Sequence, residues 1–180
     1  QDKTLFVLLP GIGFSKNISR LQIFGGIHRG FTPPSSGALK ILSFGTNSES
    51  TGLDLDAEKS WNKELGLRGN ISVINFELSA FHVGIENLVA AGRGTAFRNL
   101  GKVNTMGMEL NTVFSLSKSV NILPDFHLSY TFLKTAVVDG KIKSNVSGKV
   151  GSEVSIKDKE LPYAPNHTLT AGVSGNYFNS

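Results

Sequence analysis

At 180 residues, with 39% hydrophobic side chains and a mean hydropathy of −0.02, the chain is long enough for one folded domain with a core and too apolar to be disordered. No apolar run approaches the roughly 18 residues of a spanning helix, and zero cysteines remove disulfides, thiolate metal sites and cysteine nucleophiles together. The formal charge of +4 comes from 18 Lys and Arg scattered without a basic run or the stacking aromatics of a nucleic-acid module, so nucleic acid is not an expected partner.

Twenty glycines and twelve phenylalanines suit twisted β structure with many turns better than helices. In chain order, Leu5 to Phe14 reads as a strand interrupted at Pro10-Gly11, Ser15 to Ser19 as a polar turn, and Leu21 to Phe31 as the strand that completes a hairpin. Thr32 to Ser60, opened by Thr32-Pro33-Pro34 and closed by Asp54, Asp56 and Glu58, has no sustained periodicity and reads as a long loop.

From Trp61 the pattern becomes a period of two. Trp61, Lys63, Leu65 and Leu67 form one face, and Asn62, Glu64, Gly66 and Arg68 the other. A short connection, Asn70 to Asn75, leads into a strand over Phe76 to Val89, with Phe81, Val83 and Ile85 on its apolar face. After a polar loop, Ala90 to Leu100, Met106, Met108, Leu110 and Phe114 alternate with Thr105, Gly107, Glu109 and Asn111. A turn at Ser117 to Pro124 precedes a strand whose apolar face is Phe126, Leu128, Tyr130 and Phe132. Lys134 to Asn166 reads as another long polar segment, and Leu169, Ala171 and Val173 mark the last strand.

Seven strands result, joined by connections that run short, long, short, medium, short, long. That alternation of tight turns and variable loops, on strands of about nine to eleven residues, is how transmembrane β-barrels are built. A soluble barrel or sandwich has the same period with its apolar set pointing inward, so periodicity leaves both open.

Four segments resemble one family, the TonB-dependent outer-membrane receptors. Gly26-Ile27-His28-Arg29-Gly30-Phe31-Thr32-Pro33-Pro34 resembles the strand end where these receptors carry a Gly-Phe-x-x-Pro type signature. Asp56-Ala57-Glu58-Lys59-Ser60-Trp61-Asn62-Lys63-Glu64-Leu65-Gly66-Leu67-Arg68 resembles the segment that follows, with Ala57 where many members have Pro. Asn99-Leu100-Gly101-Lys102 through Leu110 is similar to a third, with Met108 where Val or Ile is usual, and Leu161-Pro162-Tyr163-Ala164-Pro165-Asn166-His167-Thr168-Leu169 to the entry of a late strand. The first two are similar to receptors of the ferric dicitrate type.

The resemblance implies an all-β fold, an antiparallel up-and-down transmembrane β-barrel with short periplasmic turns and long extracellular loops. Such receptors have about 22 strands around a plug, so residues 1–180 are expected to be a partial barrel of about seven strands, with the plug domain and remaining strands absent. It further implies a bacterial outer-membrane location and energy-coupled uptake of a scarce ligand, foremost a ferric chelate such as a siderophore or ferric citrate. The expected partners are that chelate, a TonB-type energy-transducing complex acting through the plug, and outer-membrane lipid and lipopolysaccharide.

In a closed receptor, Glu64, Arg68 and Glu109 would face the lumen and bond to the plug or to one another, because buried charge is costly unless paired; hydrated lumen lining is the plainer alternative. Arg29, Arg93 and Arg98 would attract an anionic chelate, since guanidinium binds carboxylate bidentately, whereas a plainer arginine there is solvated or bound to lipopolysaccharide. Trp61, Tyr163 and Tyr177 are candidates for interfacial girdles.

His28, His82, His127 and His167 lack metal-ligand spacing, and neither a P-loop nor a Gly-x-Ser-x-Gly elbow is present, so no catalytic residue, metal or cofactor is expected. Two rival readings are a small outer-membrane barrel serving as an adhesin or surface-binding protein, and a soluble β-sandwich binding domain.

Overall fold

The computed structural model describes residues 6–33, 56–91, 97–99, 101–120, 122–143 and 152–175. One antiparallel sheet dominates them. Its strands are β1 (Gly11–Ile18), β2 (Leu21–Thr32), β3 (Glu58–Ile71), β4 (Ile74–Glu86), β7 (Lys102–Phe114), β8 (Asp125–Asp139) and β11 (His167–Ser174), and they neighbour one another in that order. Two small two-stranded ribbons sit in the connections, β5 (Val89–Ala91) with β6 (Phe97–Asn99), and β9 (Lys141–Lys143) with β10 (Glu153–Ser155).

The seven expected strands are all present, but several boundaries move. β1 lies later than the sequence suggested, because Pro10 cannot donate to the ladder and the strand starts beyond it. Its carbonyl still accepts from the Arg29 amide at 2.9 Å. Residues Ser15 to Ile18, expected as a turn, continue the alternation, with Lys16 and Ile18 on the face of Ile12 and Phe14 and with Ser15 and Asn17 opposite. The reversal is Ser19-Arg20, with Ser19 at φ 56°, and Ser72 at φ 56° turns the chain in the same way between β3 and β4.

β8 runs on to Asp139 through residues expected to be loop. Beyond Leu133 its free edge is covered by segment 158–166. The Leu133 amide donates to Asn166 at 2.9 Å, Val137 donates to Lys159 and accepts from Asp158, and the Leu161 amide donates to Thr135 Oγ1 at 2.9 Å. Backbone groups beyond the last ladder rung are thereby satisfied. Tyr163, in this segment, is fully exposed among the described residues, at φ 62°. Tyr177 and most of the loop between β2 and β3 lie outside the described residues.

The register fixes which side chains share a face, since directly opposed residues do. One face is apolar from the turn end upward. Ile18, Leu21, Phe76, Leu128 and Ala171 lie there, then Ile23, Leu67, Leu78, Leu110, Tyr130 and Leu169, then Phe14, Leu65, Ala80, Met108 and Phe132. The other face carries Gln22, Arg68, Glu77, Ser79, Glu109, Asn111, Ser129, Thr131 and Thr168.

Toward the loop end this polarity exchanges over β4, β7 and β8. Phe81, Val83 and Ile85 stand on the face of Glu64 and Glu109, together with Val103, Leu133 and Val137, while His82, Glu86, Lys102 and Lys134 stand on the otherwise apolar face. That corrects the single apolar face expected for β4. Among the described residues the only buried apolar side chains are Val103 and Val137, both in this upper region. Strands β2, β3, β4, β7 and β8 are 12 to 15 residues long, more than the roughly nine to eleven that cross a hydrocarbon layer, and it is in the surplus at the loop end that the polarity of the faces exchanges.

Candidate functional site

Alternation puts short polar side chains on the polar face of β1 and β2, and the tight turn between them sets Asn17 directly opposite Gln22. Gln22 is the hub of a network there. Its Nε2 donates to Ser15 Oγ at 3.1 Å and to Asn17 Oδ1 at 2.8 Å, and its Oε1 accepts from Arg68 Nε at 2.5 Å. Arg68 Nη1 lies 3.7 Å from Glu77 Oε2, and its guanidinium stands 5.5 Å over the Phe24 ring. Four consecutive strands, β1 to β4, are joined across this face.

Phe24 occupies that position because it lies across Gly66, where a Cβ would come within 2.7 Å of the ring's Cε atoms. Phe81 likewise covers Gly107, where a Cβ would stand 2.7 Å from Phe81 Cζ. An aromatic ring laid over a cross-strand glycine recovers the packing that the glycine lacks. Farther along the same face, on β7, β8 and β11, Ser129 Oγ donates to Asn111 at 2.7 Å and His127 Nε2 lies 2.8 Å from Ser174 Oγ. At the turns, Asn70 donates to Asn75, which donates to Ser115 Oγ at 3.3 Å.

The candidate residues separate into three groups. Glu64, Arg68 and Glu109 share the polar face, as expected from their strands. Arg68 is paired within the sheet, with Glu77 and Gln22 rather than with Glu64 or Glu109. Glu64, between Gly26 and Phe81, and Glu109, between Ser79 and Thr131, are exposed and have no hydrogen-bond or ion-pair partner among the described residues.

Arg29 stands on the other face, opposite Trp61, with its guanidinium 5.5 Å from the ring centroid. Strand parity forces this, because Arg29 is an odd step from His28, which faces Asn62. Arg93 lies outside the described residues; Arg98 is described only by its backbone, which pairs with Ala90.

Gln22 and Glu77 were not singled out from sequence. A signal for Glu77 existed, since Arg68 and Glu77 are equidistant from the Ser72-Val73 reversal and a two-residue turn brings such residues face to face. Among the described residues no group of three His, Asp or Glu could hold a metal ion.

A family model described as "TonB dependent receptor-like, beta-barrel" matches residues 2–180. Among solved structures, the siderophore receptor PirA from Pseudomonas aeruginosa is similar with a TM-score of 0.59 and 22% identity, over 71% of this chain and 25% of that one. The copper transporter OprC is similar with a TM-score of 0.55 and 16% identity, over 70% of this chain and 20% of that one. The chain thus spans about a quarter of the one and a fifth of the other. No curated protein matches the chain.

Proposed function

The chain belongs to the TonB-dependent receptor β-barrel family, and from that premise we propose that it is a stretch of the wall of an outer-membrane receptor that takes up a scarce ligand, a ferric chelate, with energy delivered through a plug domain by a TonB-type complex. The observation that carries this reading is the family match along the whole chain, together with a sheet whose faces divide as such a wall requires. The face that is apolar over the lower strands meets lipid and the polar face lines the lumen, since an apolar band on the outside and a polar interior define these barrels.

On this reading the turns at Ser19-Arg20 and Ser72-Val73 are periplasmic, and the loop ends lie outside the cell. Arg68 stiffens the wall through Glu77 and Gln22. Glu64 and Glu109, exposed and without a partner among the described residues, are the carboxylates proposed to bond to the plug. Arg93 and Arg98 are the guanidinium groups proposed to draw an anionic chelate, whereas Arg29 faces away from the lumen. Ferric citrate is the first ligand to try, because segments 26–34 and 56–68 resemble receptors of that type.

Deletion of the gene for the full receptor tests this, with uptake of radiolabelled ferric citrate, a ferric siderophore and copper measured in parallel. Lost uptake of one ferric chelate, restored by the wild-type gene, is expected. Unchanged uptake of both ferric chelates overturns the iron reading, and lost copper uptake alone replaces it with copper.

A further inference from the structure

One row of side chains on the outward face is rich in hydrogen-bond donors and poor in acceptors. Across the register, Ile27, Lys63, His82, Met106 and Lys134 lie side by side on β2, β3, β4, β7 and β8. Lys63 and Lys134 are exposed and have no hydrogen-bond or ion-pair partner among the described residues. His82 Nδ1 is closed off from solvent and meets no partner either. The remaining heteroatom of the row is the Met106 sulfur, a weak acceptor.

Met106 and Met108 are the two methionines of the chain, two residues apart on β7. Both face outward, and they are exposed to nearly the same extent, 46% and 48%. Their neighbours differ. Met108 lies between Ala80 and Phe132 in an apolar row, whereas Met106 lies between His82 and Lys134. Directly opposed side chains start about 5 Å apart at Cβ, which brings the Lys134 ammonium and the His82 imidazole within reach of the Met106 side chain.

Oxidation to the sulfoxide turns a soft thioether into a polar group with a strong acceptor oxygen. At Met108 that oxygen would be surrounded by apolar groups, at a cost. At Met106 it supplies the acceptor that the row lacks, because Lys134 can donate to it, and so can His82 as its Nδ1–H tautomer.

We propose that Met106 is a sulfoxidation site for a membrane-soluble organic hydroperoxide. The sulfur lone pair attacks the terminal peroxide oxygen, an S–O bond forms as the O–O bond breaks, and the Lys134 ammonium gives a proton to the departing alkoxide. The transferred oxygen returns its own proton to Lys134. Sulfur is thereby oxidised by two electrons and the hydroperoxide is reduced to the alcohol. The sulfoxide oxygen then rests on Lys134 and His82, so the wall keeps its fold. The proposal rests on this face meeting lipid, and not on the identity of the transported ligand.

The test uses the full-length receptor in lipid vesicles, with cumene hydroperoxide as the membrane-soluble oxidant and peroxymonosulfate as the aqueous one. Sulfoxide at each methionine is followed by peptide mass spectrometry. Equal exposure alone predicts equal rates, whereas one charge-assisted hydrogen bond to the leaving oxygen predicts that Met106 reacts with cumene hydroperoxide about tenfold faster than Met108. K134Q should remove most of that advantage. K134R, which keeps a donor but has no proton to release, should fall between the two. M106Q, a neutral mimic of the sulfoxide, should leave the unfolding midpoint unchanged while M108Q lowers it.

Equal rates at the two methionines, an unchanged Met106 rate in K134Q, or M106Q as destabilised as M108Q overturns the proposal alone. Rapid oxidation of Met108 by peroxymonosulfate would mean that this face meets water, and overturns the lipid-facing assignment together with the proposal.

Discussion

Leu110 and Asn111 are adjacent on β7 and face opposite ways, so replacing each by arginine asks directly which face meets lipid. Leu110 shares its row with Ile23, Leu67, Leu78 and Tyr130. At about 3.4 Å per residue and a tilt of about 40°, it stands roughly 10 Å above Phe114 along the membrane normal, near the middle of a band about 25 Å tall. Arginine at that depth on the lipid side costs about 2–4 kcal/mol. Asn111 stands on the polar face beside Glu77 and accepts a hydrogen bond from Ser129 at 2.7 Å. N111R loses that bond, worth about 1 kcal/mol, and gains a carboxylate neighbour. The difference predicted between two consecutive residues is therefore about 1–3 kcal/mol, roughly a 5- to 150-fold change in the unfolding equilibrium constant. Denaturant unfolding of the full receptor in lipid vesicles, followed by loss of heat-modifiable mobility, measures it. If N111R is destabilised as much as L110R, or more, the assignment of faces is wrong.

Three further outcomes follow from the contacts. G66V should lower the thermal midpoint of the full receptor by an amount corresponding to about 1–3 kcal/mol of overpacking, because its branched side chain displaces the Phe24 ring, whereas G84A on the neighbouring strand, where the nearest atom to an added Cβ is Asn104 Oδ1 at 3.3 Å, should change it by much less. R68Q should cost under about 1 kcal/mol in denaturant unfolding, since the Arg68–Glu77 pair is about half exposed at 3.7 Å, and the loss should shrink as salt is raised. T135V removes the acceptor for the Leu161 amide from a site only 4% exposed, so amide hydrogen exchange at Leu161 should quicken by about a factor of ten while the β3–β4 hairpin keeps its protection.

Strand number and up-and-down order were legible in the sequence because each strand repeats with a period of two over a stretch long enough to see, and the register then follows from two-residue turns. What misled was polarity used as a marker of turns and loops. Ser15-Lys16-Asn17 reads as a turn by composition, yet a lysine on the apolar face and two short polar residues on the other are still alternation. Lys134 to Val137 reads as loop because its apolar members have changed sides, while the backbone continues as β8. Of the candidate site, parity alone put Glu64, Arg68 and Glu109 on one face of the sheet, and the register has them on one face. The partner of Arg68 depended on hairpin register, and the face of Arg29 needed the same parity count from His28 that was applied to Arg68.

The exchange of polarity in the upper strands also bears on how such a wall enters a membrane. The turn end presents two-residue reversals at Ser19-Arg20 and Ser72-Val73, whereas the loop end presents Lys59, Lys63, Glu86, Lys102 and Lys134 on the face proposed to meet lipid and the chain of residues 158–166 laid along β8. Only the first can be drawn through hydrocarbon at modest cost, since charged groups on the lipid face are expelled from the midplane. On the proposed orientation the loop ends lie outside the cell, so the end that must cross from the periplasm is the costly one, and once across, the basic row that ends the apolar band would oppose its return and fix the depth of the wall.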